Sequence, residues 1–318
     1  FFDTYPRFGP CSEWDTAAGN CILKNAGGSV KNVSGEELKY NTKDNFLSEA
    51  FKDHVVEFQK RQGLFPIQSR FYRFKRGFCH GVMNTDNMSI LGDTIDYGPF
   101  GFLDSYDPSF ICNYSDHQGR YSFQNQPSIA LWNLNALATC FSSLLEVSEI
   151  TDCLQQYEDE YLSHYREIMA KKIGLLEYKK SDEQLINQLL VMMANDRVDY
   201  TLFFRKLCDF SEQNQSVRDY FIDRDQFDHW SKDYIQRLKT QDLSDQQRQQ
   251  LMQQTNPVYV LRNYMAQNAI KAAEDGDFSE VELLLTILKN PFITHPEADK
   301  YAGLPPDWAS EITVSCSS

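Results

Sequence analysis

The sequence predicts an α+β chain that is mostly helical. Three observations carry that prediction: a Gly-Asp pair between short apolar runs near residue 92, sustained helical periodicity after Pro127, and two well-punctuated segments in the last third. The runs SIL and TID flank Gly92-Asp93, a two-residue hairpin signature. With that turn, Leu91 pairs with Thr94 and Ser89 with Asp96, so Asn87 lies one diagonal step from Asp96. Apolar residues then recur at helical spacing over Pro127–Glu146, Ile150–Ile173, Asp182–Ala194 and Tyr200–Phe210. Met192 and Met193 fall in these stripes and read as core. Asn256 and Pro257 supply a cap and first turn for a helix from Pro257 to Glu274, stopped by Asp275-Gly276. A last helix, Glu280–Lys289, ends at Asn290-Pro291, because the residue before proline disfavours the helical region.

Residues 1–75 differ in composition from the rest. They carry a glycine pair, scattered Asn and Ser, and one amphipathic stretch, Asn45–Gln62, with Phe46, Ala50, Val55 and Phe58 roughly on one face. The basic run Arg70–Arg76 that closes this region reads as a solvated lead-in to the next element.

With 318 residues, 42% of them hydrophobic, the chain can bury a sizeable core as one large domain or two smaller ones. Thirty-one basic residues against 45 acidic ones leave a net charge of −14, which repels nucleic acid. No apolar run approaches the ~18–20 residues of a membrane-spanning helix, and the first ten residues lack the layout of a secretory signal. The expectation is a soluble, intracellular protein with neither nucleic-acid nor membrane partners. The eight cysteines form no CxxC pair and no zinc-spaced cluster. Cys140, Cys153 and Cys208 fall in helical patterns and are expected to be buried and inert.

The densest polar cluster is HGVMNTDNMSILGDTIDYGPFG, His80–Gly101. Asn87 and Asp96, brought together by the hairpin, offer an amide and a carboxylate oxygen to a hard cation such as Mg²⁺, which also takes substrate phosphates as ligands. Asp86 is placed to accept a proton from an attacking hydroxyl. Acids in a Gly/Asn/Asp-rich turn also simply cap and solvate, and the cluster alone leaves that alternative open. Protein kinases divide similar labour among an Asp, an Asn and a second Asp before Gly. Here Asp96-Tyr97-Gly98 matches the last element, but Asp86 and Asn87 are adjacent and His80 precedes Gly81 where a kinase has Arg, which disfavours an ordinary protein kinase.

The strings HGVMNTDNMSILGDTIDYGPFGFLDSYDP, FICNYSDHQGRYSFQNQPSIALWNL and NPVYVLRNYMAQNAIKAAEDGDFSEV, with the terminal CSS, resemble selenoprotein O proteins over about Gly77–Ser318. The resemblance implies a protein kinase-like (pseudokinase) C-lobe with a C-terminal helical extension at 76–318, and leaves 1–75 unassigned. It implies transfer of AMP from ATP to Ser, Thr or Tyr hydroxyls of proteins, with Mg²⁺, or Mn²⁺ in its place, as cofactor. Residue by residue it gives Asp86 the role of proton acceptor, Asn87 that of metal ligand, and Asp96 that of metal ligand and ATP contact. His80 is expected to make a structural hydrogen bond, and Arg120 and Arg262 to be buried ion-pair partners. Cys316 stands where animal members carry selenocysteine, and together with Cys112 it is expected to form a reversible disulfide that gates activity. The implied compartment is the cytoplasm in a bacterium and the mitochondrion in a eukaryote. No Gly-rich, Lys-bearing string of the kind the family uses to grip phosphates occurs in residues 1–75; Gly27-Gly28-Ser29-Val30-Lys31 is too short. Two rival readings therefore stay open: a truncated, inactive relative acting in binding or redox response, and a small-molecule phosphotransferase.

Overall fold

The structure, a computed structural model, describes residues 77–88 and 98–315, all within the unit Leu64–Ser318. The Asn45–Gln62 helix, the Arg70–Arg76 run, the Gly92-Asp93 hairpin turn, Asp96 and Cys316 lie outside the described residues. The rest is mostly helical with a two-stranded sheet, the α+β composition expected.

Strand β1 (Phe78–Cys79) runs antiparallel to β2 (Gly101–Phe102), with Phe78 opposite Phe102 and Cys79 opposite Gly101. Eight α-helices follow among the described residues: α1 (Gln126–Cys140), α2 (Val147–Lys172), α3 (Asp182–Asn195), α4 (Tyr200–Leu207), α5 (Arg224–Lys239), α6 (Asp245–Thr255), α7 (Asn263–Glu274) and α8 (Ser279–Lys289). No helix among the described residues is long and apolar enough to cross a membrane.

The helices begin and end where local chemistry allows. Asp199, Asp223 and Ser244 cap α4, α5 and α6 through side-chain oxygens that accept from Leu202 N, Gln226 N and Gln247 N. At the end of α2 the Leu175 amide donates to Ala170 O at 2.9 Å and the Gly174 amide to Lys171 O at 3.2 Å, with Gly174 at φ +75°. A Cβ at Gly174 would come 2.7 Å from Arg248 Cγ and Met252 Sδ, so the turn can carry α6 close to it only as glycine.

One expected helix start is wrong. Residues 257–262 are not helical, and α7 begins at Asn263 behind an extended Arg262. Tertiary bonds override the Asn-Pro start signal. Val258 and Tyr259 donate their amides to Pro291 O at 2.7 and 3.3 Å, and the Asn256 amide is buried between Lys172 O at 2.8 Å and Lys172 Nζ at 3.0 Å.

The main core joins α2, α3, α4 and α5. Phe221, Phe227, Trp230 and Tyr234 stack in succession with ring centroids 4.9, 5.6 and 4.8 Å apart. Their polar tips are matched: Trp230 Nε1 donates to Leu185 O at 2.9 Å, and Tyr234 OH donates to Ile173 O at 2.7 Å. Each such buried ring contributes about 1.5–3 kcal/mol of transfer free energy. Cys79, Leu103, Cys112 and Phe123 belong to this same core, which roots the small sheet in the helical body. A second core holds Tyr259, Tyr264, Met265, Leu284, Ile287 and Tyr301 between α7, α8 and the last turns.

Arg262 ties these parts together. Its guanidinium is 2% exposed, donates to both Asp199 oxygens at 2.8 and 3.0 Å, and reaches Asp104 Oδ1 at 2.6 Å. Burial works against the Arg262 charge, but Asp199 and then Asp104 outweigh it and hold its pKa above the ordinary value. The expectation of a buried ion-pair partner holds for Arg262. Replacing Asp199 with Ala removes both the α4 cap and one arm of the buried pair, so we expect about 3 kcal/mol of lost stability. Urea unfolding of wild type and Asp199→Ala, followed by far-UV circular dichroism, measures that loss; a change below about 1 kcal/mol would contradict it.

Candidate active site

The loop after β1 turns at Gly81, with φ +82°, and rises through Met83 into a 3₁₀ turn, Thr85–Asn87. A Cβ at Gly81 would lie 2.6 Å from both Cys112 Sγ and Pro99 O, so the backbone passes closer to its neighbours than any side chain permits. Asp86 points outward and is exposed, whereas Asn87 is half-buried and donates its amide to Val82 O at 3.1 Å. The sequence reading put Asp86 and Asn87 together, and they occupy one turn.

Amide side chains read the loop's backbone. Gln126, at the start of α1, accepts from His80 N at 3.1 Å and donates to Phe78 O at 3.1 Å and Phe123 O at 3.3 Å. Asn113 donates to Gly81 O at 3.3 Å, and Asn133 donates to Met83 O at 3.0 Å. Tyr121 OH donates to Asn84 Oδ1 at the base of the 3₁₀ turn. Gln126, Asn113 and Asn133 are all buried, where each matched amide is worth more than at the surface. Sequence reasoning missed all four side chains as supports for the loop. The available signal was Asn133, a lone amide in the otherwise apolar run IALWNL, and the two amides of NQP.

His80 is buried and its Nδ1 accepts from Val82 N at 3.4 Å, the structural bond expected of it. Arg120 is a correction. It is exposed; its guanidinium lies over the Trp132 ring at 4.9 Å and the Tyr121 ring at 5.7 Å, and the Asp116 carboxylate accepts from its backbone amide at 2.9 Å. The indole face at Trp132 offers a surface contact that requires no burial of the guanidinium.

The cysteines also depart from expectation. Cys208 is buried, but Cys140 and Cys153 are exposed, because one ends α1 and the other sits on the outward side of the long helix α2. Cys112 is 6% exposed, and its thiol donates to Cys79 O at 3.3 Å. Two residues on, Tyr114 N donates to Val314 O at 2.8 Å, so the C-terminal segment lies against the Cys112 loop.

Among the described residues no three His, Cys, Asp or Glu side chains gather as a metal site. Asp86 and Asn87 carry a carboxylate and an amide oxygen, donor types that suit a hard divalent cation holding several waters.

A family model described as "Protein adenylyltransferase SelO" matches residues 72–289, more than half of the chain. The chain belongs to the SelO family. Its members are described as protein adenylyltransferases, which places this chain among nucleotidyltransferases. A second family model, the inositol monophosphatase family, matches residues 1–62. That match lies upstream of the SelO region and outside the described residues, within the stretch that the sequence reading left unassigned.

Because a SelO loop so tightly enclosed cannot accept a Cβ at Gly81, Gly81→Ala should destabilise the chain by about 2–3 kcal/mol through strain at positive φ and overpacking. Thermal unfolding monitored by calorimetry checks this. A melting temperature equal to wild type would show that the loop yields without cost.

Proposed function

We propose that this SelO chain carries the catalytic loop of a Mg²⁺-dependent protein adenylyltransferase on a protein kinase-like lobe, moving AMP from ATP to a Ser, Thr or Tyr hydroxyl. One observation carries the reading: within a single 3₁₀ turn, Asp86 faces outward while the Asn87 amide is held against Val82 O. An outward acid can meet a hydroxyl on a macromolecule as large as another protein. Asn87 and Asp96 would hold the metal, which neutralises charge on the ATP phosphates when bound.

The steps that belong to the chain's own residues are few. Asp86 accepts the proton of the acceptor hydroxyl, whose oxygen attacks the α-phosphorus as the bond to pyrophosphate breaks. The core-rooted strand and the amide supports hold the backbone that leads into the turn of Asp86, which orients the carboxylate before substrate arrives. Asp96 serves as the second metal ligand and ATP contact in this reading.

Cys112 and Cys316 are proposed to form the disulfide that gates this activity. The bond from Tyr114 N to Val314 O supports it, because it brings the described end of the C-terminal segment against the loop of Cys112.

ATP labelled at the α-phosphate, and separately at the γ-phosphate, decides among the readings when incubated with the full chain, Mg²⁺ and a protein mixture. Label from the α position on protein, lost in Asp86→Ala and Asp96→Ala, is the expected result. Label from the γ position means phosphotransfer, and none from either means a binding role. Asp86→Ala should cost at least about 100-fold in rate if the carboxylate takes the proton. For the gate, non-reducing peptide mapping after mild oxidation should recover Cys112 joined to Cys316; recovery of Cys316 only as a free thiol excludes it.

A further inference from the structure

Cys112 faces a second thiol inside the protein. A Cβ on Gly81 would come 2.6 Å from Cys112 Sγ, and one on Gly101 would come 3.1 Å from Cys112 Cβ, so glycine walls the Cys112 side chain on two sides. On the remaining side stands Cys79, fully buried in β1, with its carbonyl 3.3 Å from Cys112 Sγ and its backbone paired with Gly101, the glycine against which Cys112 Cβ packs. Cys79 Sγ itself donates to Tyr121 O at 3.5 Å. Nothing in the SelO transfer reading uses this pair.

We infer that Cys79 and Cys112 are a dithiol that forms a disulfide by exchange with a small-molecule disulfide such as oxidised glutathione. Cys112, at 6% exposure against none for Cys79, is the point of entry. It sits in residues 111–121, which hold no helix or strand and, beyond turns and side-chain bonds, one long-range backbone bond, from Tyr114 N to Val314 O; such a segment opens locally at lower cost than a helix. The Cys112 thiolate attacks one sulfur of the glutathione disulfide and releases one glutathione thiolate. The Cys79 thiolate then attacks the Cys112 sulfur and releases the second. Two protein thiols are oxidised, one glutathione disulfide is reduced to two glutathiones, and the two thiol protons pass to the products.

This inference stands apart from AMP transfer and from the tail disulfide. A Cys79–Cys112 bond removes the thiol that the tail would need, so the two disulfides exclude each other. It would also cross-link β1, directly before the loop of Asp86, to the loop that supports it.

The test uses the full chain as Cys316→Ser, incubated with excess oxidised glutathione, quenched in acid and mapped by mass spectrometry without reduction. The expected result is a cross-linked pair of peptides containing Cys79 and Cys112, with both free thiols lost. In Cys79→Ser/Cys316→Ser, Cys112 should stop as the glutathione adduct. The inference is overturned if, in Cys316→Ser, Cys112 persists as that adduct with Cys79 free, or if both remain free thiols. Wild type separates the two disulfides: a Cys79–Cys112 bond with no Cys112–Cys316 bond under any oxidation sinks the tail gate and keeps this pair.

Discussion

The described part of the molecule depends on one buried cation. Arg262 is the residue before α7, Asp199 is the cap of α4, and Asp104 follows β2, so a single guanidinium joins the second core, the main core and the end of the sheet. A buried charge adds little net stability over an apolar contact, because desolvation consumes most of the Coulomb gain. What it does is penalise every arrangement in which the three elements part, since each would leave an uncompensated ion away from water. The backbone around it runs the same way: Tyr106 N bonds Val198 O at 2.8 Å and Tyr200 N bonds Asp104 O at 2.9 Å, flanking the ion pair on both sides.

From that anchor the sheet carries order to the candidate site. Leu103 N bonds Gly77 O at 2.7 Å, Cys79 lies opposite Gly101, and the chain leaves β1 with its direction set. Gln126, Asn113 and Asn133 then satisfy the carbonyls of Phe78, Gly81 and Met83 in turn. A loop would otherwise expose such carbonyls to water, and buried without partners they would cost about 1–3 kcal/mol each. The amides let the loop stay both irregular and enclosed, which is what an outward Asp86 on a fixed turn requires.

How much of this was legible in the sequence follows from the range of the interactions. Helices α2, α3 and α8 were readable nearly to their ends because their signals are local: periodic apolar residues in all three and a proline stop at Pro291 for α8. The start of α7 was not, because the bonds that hold residues 256–259 extended come from Lys172 and Pro291, far along the chain. Helices α5 and α6 were not read from the sequence; α6 is rich in Gln and carries only a weak apolar stripe. Adjacency made Asp86 and Asn87 visible as a pair. The amide supports were invisible as such, because an Asn or Gln side chain has no spacing rule that reveals which distant carbonyl it will bind. Exposure of Cys140 and Cys153 was missed for a related reason: helical periodicity says that a residue has a face, and only packing says whether that face is covered.

The separation between scaffold and chemistry has a consequence for how a SelO chain of this kind works. The turn of Asp86 and Asn87 is built from carbonyl-to-amide bonds, a buried His80 and two close glycine approaches, none of which involves a cation or a phosphate. Those contacts make residues 77–88 a closely packed, rigid stretch of backbone. The same rigidity makes the site sensitive to its neighbours. Cys79 and Cys112 share the core that roots the loop, and with the backbone at Gly81 packed directly against Cys112 Sγ, a change at that sulfur is felt five residues before Asp86. A close-packed interior transmits displacements of that kind instead of absorbing them.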